Sequence, residues 1–286
     1  MRKDWSQRFA LTFVADLNYL PQFSACAISF LEHNKDLGWS IYLFSNDIFD
    51  GDLVKLRVTL EKTNSNSTLH LINVNDDDFK QFHGFWENHG RQVFYRFVIP
   101  GYIPISFKYI IYMDVDMIVY DTFDFTELEL SNTPIGAVKD HISNVLAPKR
   151  GLKEYFNSGF LVIDRKYWID NNVTKTLFKL NPPKRRFADQ DILNEMFKNN
   201  WKQYSNKYNF PASKLKHLIF GYRIGGIGKP IVIHFNGGIK PWNYWQVGSW
   251  LYWKFILKSP LKKNAIKAPI SIYKSLEYKL LKLFNL

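Results

Sequence analysis

Apolar residues along the chain fall into short runs that alternate with stretches of helical spacing. Leu11-Thr12-Phe13-Val14 reads as a buried strand, and Ala15-Asp16-Leu17-Asn18-Tyr19 breaks it. Pro21 stands where a helix can begin, and Phe23, Ala27, Phe30 and Leu31 recur at helical spacing before Gly38. Ser40 to Phe44 predicts a second strand, Leu53, Leu56 and Leu60 a second helix, and Leu69 to Ile72 a third strand. Strand and helix in this alternation predict an α/β domain with a mostly parallel central sheet.

The same pattern continues downstream. Gln92 to Tyr102 reads as a buried helix with Arg96 as its one charge, and Lys108 to Met113 as an apolar strand ending in Asp114-Val115-Asp116. Phe160 to Ile163 predicts a strand, Lys166 to Leu180 and Asp189 to Asn199 predict helices, and Ile231-Val232-Ile233 the last strand. Pro182 to Arg186 is a basic loop. Open α/β sheets bind ligands at the carboxyl ends of their strands, so the polar residues at those ends are the candidates for chemistry. No Gly-x-Gly-x-x-Gly follows the first strand and no phosphate-loop motif occurs, which argues against dinucleotide oxidoreductases and P-loop enzymes.

Composition narrows the class. At 46% hydrophobic and 17% aromatic residues the chain carries far more core material than a disordered one. The single cysteine, Cys26, excludes a disulfide scaffold and fits a reducing compartment. No apolar stretch reaches the roughly 20 residues of a membrane span. The run from Phe9 to Ala15 is too short for a signal-peptide core, so a cytoplasmic protein is expected.

The net charge of +12 is unevenly spread, because the segment from Lys254 onward holds eight Lys and one Glu. Basic charge confined to one end, rather than striping a face, argues against a nucleic-acid partner. Within that end Ile272, Leu276, Leu280 and Phe284 recur at every fourth position among lysines. The expectation is a catalytic domain over 1–250 and a basic amphipathic segment over 251–286. That segment would lie on an anionic membrane, making the protein peripheral on its inner face. The alternative is a helix packing its apolar stripe on the main domain.

Asp114 and Asp116 are two carboxylates at the end of one apolar strand, and at spacing i, i+2 an extended chain points both to one side. They would repel unless a divalent cation lay between them, and such a cation can also hold a diphosphate. A solvated turn is the bland alternative. His234 follows the last strand, within His-Phe-Asn-Gly-Gly-Ile-Lys-Pro-Trp (234–242). Gly237 and Gly238 permit close backbone approach, and Lys240 offers a point charge suited to phosphate. Two carboxylates and an imidazole suit Mn2+ or Mg2+. Asn157-Ser158-Gly159 precedes a strand, and Asp189-Gln190-Asp191 opens a helix. One of those two aspartates is expected merely to serve the helix N-terminus.

Together these segments resemble the bacterial members of glycosyltransferase family 8. The resemblance runs from Ala15-Asp16-x-Asn18 through Tyr95-Arg96, Tyr112 to Asp116 and Tyr155 to Gly159. It continues through Asp189 to Asn194 and His234 to Trp242, covering roughly residues 9 to 245. It implies a GT-A type, Rossmann-like nucleotide-sugar-binding fold, and transfer of galactose or glucose from a UDP-sugar to a saccharide of a cell-surface glycan such as lipopolysaccharide. The acceptor would be lipid-linked. By the same resemblance Asp114, Asp116 and His234 hold the metal, and Ala15, Asp16, Asn18, Val115, Gly237 and Lys240 hold the nucleotide and diphosphate. Arg96, Asn157, Asp189 and Gln190 surround the sugar, with Gln190 and Asp189 nearest the chemistry. Acceptor contacts would fall on loops near 75–90 and 140–155. The family retains anomeric configuration. An amide is a poor nucleophile, so same-face attack and a covalent intermediate both stay open. The rival readings are an inactive, membrane-associated UDP-sugar binder and, further off, a nucleic-acid-binding protein.

Overall fold

The computed structural model describes residues 4–82, 90–180, 187–198, 200–216, 229–244 and 246–262. Its first half is built as strand, helix, strand. β1 (Phe9–Val14), α1 (Leu20–His33), β2 (Ser40–Ser45), α2 (Asp50–Thr63) and β3 (Thr68–Asn73) follow one another, and the three strands pair in parallel. β4 (Tyr109–Met113) joins β1 on its other side, also parallel.

β6 (Ile135–Lys139), flanked in the chain by the short helices α4 (Phe125–Leu128) and α5 (Ser143–Lys149), β7 (Phe156–Asp164) and β8 (Lys202–Tyr204) complete a seven-stranded sheet of order β3-β2-β1-β4-β7-β6-β8. Within it β7 runs antiparallel to both neighbours. A mostly parallel sheet is thus observed, with one reversed strand.

β4 is apolar along its whole length, and β1 is apolar but for Thr12, whose hydroxyl donates to Ile111 O at 3.1 Å, because both faces of this sheet are covered. Phe9, Leu11, Phe13, Tyr109, Ile111 and Met113 point into one core, beneath α1 and α2. Ala10, Val14, Ile110 and Tyr112 point into the other. That second core is closed by α6 (Arg165–Asp170), α7 (Val173–Lys179) and α8 (Ala188–Met196). α1 begins with Pro in its first turn and is buried from Leu20 through Leu31.

A second sheet is small. β5 (Met117–Val119), β10 (Val232–His234) and β9 (Phe210–Pro211) pair in the order β5-β10-β9. The strand at 231–233 therefore belongs here and not to the main sheet. Two predicted helices are also broken. Arg91–Phe97 is a 3-10 turn followed by the short α3 (Ile99–Tyr102), with Pro100 at its start. The helix expected over 166–180 divides into α6 and α7 at Asn172, whose φ is +49°.

The end of the described chain is part of the body. α9 (Ser249–Ile256) buries Leu251, Tyr252, Trp253, Phe255 and Ile256 in the core beneath α1. The Trp253 indole donates to Pro241 O at 3.1 Å, and Trp242 packs on Tyr252 with ring centroids 5.3 Å apart. The expected boundary at 250/251 falls within this helix, whose residues through Ile256 pack with the main body. Residues 263–286, which carry the apolar stripe, lie outside the described residues. No helix among the described residues is long and apolar enough to cross a membrane.

Candidate active site

The main sheet ends at Asp114. Its N–H donates to Gly159 O at 2.8 Å, tying the end of β4 to β7, and Met117 N–H returns to Asp114 O at 3.2 Å. Residues 114–117 are therefore a turn, and the turn, rather than extended alternation, brings the two carboxylates together. β5 leaves that turn and pairs antiparallel with β10, setting His234 opposite Met117, while Phe235 N–H donates to Asp116 O at 2.9 Å. Asp114, Asp116 and His234 each offer a ligand atom within 4.8 Å of the others. His234 Nε2 lies 3.0 Å from Asp116 Oδ1 and 3.9 Å from Asp114 Oδ2.

Gly159 keeps this space open. A Cβ there would meet the His234 ring at 2.6 Å and Asp114 Oδ2 at 2.7 Å, so any larger residue would intrude on the cage. Two carboxylates and an imidazole around a gap reserved by glycine fit a divalent cation.

The charges around this gap compensate one another. Burial disfavours the Asp116 carboxylate, yet Lys240 and His234 outweigh that cost and hold its pKa below the ordinary value. Burial likewise opposes the Lys240 ammonium, but Asp116 more than offsets it and raises the lysine pKa. Lys240 is hydrogen-bonded to Asp116 and to Phe235 O, beside Gly237, whose φ of +94° is the reason for glycine there. Val115 is partly buried against the core.

A second group of residues adjoins the triad. Arg96 is buried, its guanidinium 4.5 Å over the Tyr112 ring. It donates to Ser158 O at 2.8 Å, to Asp114 Oδ1 at 3.1 Å and, through Nε, to Val93 O at 2.9 Å, and pairs with Asp189 at 3.3 Å. Most of its donors are already engaged, so it organises Asp114 and Asp189 as much as it faces any sugar. Burial raises the pKa of Asp189, with Arg96 acting against that rise.

Gln190 Oε1 accepts from Ser158 N–H at 3.0 Å and its Nε2 donates to Asp140 Oδ2 at 3.1 Å. Asn157 Nδ2 reaches the same Asp140 oxygen at 3.2 Å. Asp191 takes no part in this group: it is buried, paired with Arg150 and hydrogen-bonded to Tyr155 Oη. Of the two aspartates flanking Gln190, Asp189 faces the site and Asp191 fastens α8 to the loop before β7.

Ala15 is buried and continues the β1–β2 ladder through Phe44 O. Asp16 caps the turn Leu17–Tyr19 by accepting from Tyr19 N–H at 2.9 Å, and burial raises its pKa. Asn18 is exposed. Tyr19 meets Trp242 edge to face, ring centroids 6.0 Å apart, which joins this turn to the Lys240 loop.

Sequence reasoning missed two polar residues. Asp140 stands just past β6, whose Gly136 and Ala137 leave a weak apolar signal. Asn209, which contacts His234, lies beside β9 in a segment with no local signature. A cavity of about 250 Å³ opens beside them, lined also by Asn144, Asn157, Pro211 and Lys214.

A mostly parallel α/β sheet of this kind is that of a GT-A type glycosyltransferase fold. Over 94% of its length the chain superposes on 99% of the galactosyltransferase LgtC, solved with donor and acceptor sugar analogs, with a TM-score of 0.73 and 21% identity. It is 27% identical to glycosyltransferase GlyB of Streptococcus pneumoniae, over 90% of this chain and 65% of that one. It is 23% identical to a lipopolysaccharide 1,2-glucosyltransferase of Escherichia coli, over 93% of this chain and 83% of that one. Residues 10–246 match glycosyl transferase family 8, and the chain belongs to that family.

Proposed function

We propose that this chain transfers a hexose, galactose or glucose, from a UDP-sugar to a saccharide acceptor of a cell-surface glycan, with a divalent metal and with retention of configuration. The observation that carries the reading is the meeting of Asp114, Asp116 and His234 at a gap that Gly159 leaves open, beside Arg96, Asp189 and Gln190. The names of the relatives, a glucosyltransferase and a galactosyltransferase, support the choice of hexose.

In this reading Asp114, Asp116 and His234 hold Mn2+ or Mg2+, which supplies positive charge to the departing diphosphate. Lys240 adds its ammonium to the same negative charge, and Gly237 lets the backbone of that loop come near. Ala15, Asp16 and Asn18, at the end of β1, bind the uridine, with Val115 beside them. Arg96, Asn157 and Asp189 bind the sugar. Preorganised charge of this kind is worth several kcal/mol in acyl- and phosphoryl-transfer sites.

The amide of Gln190 is engaged at both ends, by Ser158 N–H and by Asp140, and is no nucleophile. Same-face attack is the reading we favour. The bond from sugar C1 to the diphosphate oxygen breaks, the acceptor oxygen bonds C1 from the same side, and its proton passes to the diphosphate. The acceptor occupies the polar cavity beside Asp140. The segment beyond residue 262 attaches the enzyme to the inner face of an anionic membrane, where a lipid-linked acceptor would reside.

Incubation with the four common UDP-sugars tests this. UDP release is expected from UDP-galactose or UDP-glucose with Mn2+ and not with chelator. No release from any donor, or equal release in chelator, would refute the reading.

A further inference from the structure

We infer that Asn209 is a positioning residue. It fixes the tautomer of His234 so that Nε2 turns its lone pair toward the metal position. This rests on the metal reading above, and the argument starts from two groups whose hydrogen-bonding role no rotation can change. The backbone N–H of Gly159 can only donate, and the Asp140 carboxylate can only accept.

Asn157 lies between these two groups. Its Oδ1 is 3.0 Å from Gly159 N and its Nδ2 is 3.2 Å from Asp140 Oδ2. The reverse orientation would set an amide NH2 against an N–H and a carbonyl oxygen against a carboxylate. The orientation of Asn157 is therefore determined.

That of Asn209 follows. The atom of Asn209 at 2.8 Å from Asn157 Oδ1 must be a donor, hence Nδ2. Its Oδ1 then faces His234 Nδ1, also at 2.8 Å. A carbonyl oxygen accepts only, so Nδ1 carries the proton. In a neutral imidazole the lone pair then resides on Nε2. Nε2 faces Asp116 Oδ1 at 3.0 Å and Asp114 Oδ2 at 3.9 Å. Without a cation a second proton on Nε2 would have to meet these carboxylates; a divalent cation takes that place and accepts the Nε2 lone pair.

Asn209 thus does for this histidine what carboxylates and carbonyls do for other metal-bound imidazoles. Asn209 and His234 are both buried. The same amide chain, from His234 through Asn209 and Asn157 to Asp140 and Gln190, joins the metal position to the residues proposed to surround the sugar.

The test needs no turnover. In 15N-histidine-labelled, metal-free protein, Nδ1 of His234 should carry a proton whether or not Nε2 does, and a ring with an unprotonated Nδ1 would overturn the inference. In calorimetry with Mn2+ in the presence of UDP, Asn209→Ala should bind the metal roughly 10- to 100-fold more weakly. Asn209→Asp, which keeps an acceptor for Nδ1–H but loses the donor to Asn157 Oδ1, should bind the metal more weakly than the wild type and more tightly than Asn209→Ala. Unchanged affinity in Asn209→Ala, or an equal fall in both variants, would contradict the assignment. Should Asn209→Ala fail to fold, the nitrogen spectrum of the intact protein still decides. Absence of any Mn2+ binding by the wild type would defeat the proposed function instead, and would leave the tautomer measurable.

Discussion

The two sheets differ in size and in what they contribute. The seven-stranded sheet is long, covered on both faces, and ends in Asp114 and Asn157, with Arg96 and Gln190 held against those ends. The three-stranded sheet is made of segments two or three residues long, yet it brings His234 against Asp116. The large sheet is a scaffold whose stability comes from apolar burial. The small one is a clasp whose register places one imidazole. The candidate site exists only where the two meet.

Variants that separate scaffold from clasp should rank in a definite order. The largest effect is expected on removing α9 with a chain ended at residue 248. Its five buried side chains each contribute about 1.5–3 kcal/mol, comparable in sum to the ~5–15 kcal/mol of a domain's net stability. That protein should not show a cooperative thermal transition, whereas one ended at residue 262 should melt like the intact chain. If it also failed to bind anionic vesicles, the attachment proposed for the last segment would be supported.

Asp116→Ala should lower transfer by about 10³-fold, the scale of losing a preorganised charge-stabilising group, and should abolish metal-dependent UDP binding without unfolding the scaffold. Gly159→Ala comes next. Its methyl would collide with His234 and Asp114, costing about 1–3 kcal/mol as overpacking and weakening metal binding more than stability.

Asp189→Asn should have the smallest effect on folding. A carboxylate whose folded pKa is raised by burial adds stability below its unfolded pKa and loses it as pH rises through the folded value. At neutral pH the ionised group is a cost that asparagine removes. The variant should therefore melt at the same temperature or higher while transferring more slowly. A marked drop in melting temperature would show that the Arg96 pair matters more than burial.

What could be read from the chain divides along the same line. β1, β2 and β4 were legible because both-face burial leaves nearly unbroken apolar runs, and the edge strand β3 because Leu69, Leu71 and Ile72 stand out between polar flanks. Asp114, Asp116 and His234 were legible because polar residues interrupt such runs abruptly. β5, β8 and β9 were not, since strands of two or three residues are defined by long-range pairing rather than by composition. Asp140 and Asn209 matter only through partners far away in sequence, at Gln190 and His234. The break at Asn172 is a left-handed residue inside a stretch of good helical spacing. Asp191 shows the limit of spacing arguments: it shares a motif with Asp189, yet it is consumed by Arg150 and Tyr155.

The central claim is that a divalent cation caged by Asp114, Asp116 and His234 holds the diphosphate of the donor. Titrating UDP into the intact protein by calorimetry, once with Mn2+ and once with chelator, tests it most directly. Saturable binding with Mn2+ that disappears in chelator is the predicted result; identical heats in the two titrations, or none in either, would contradict it.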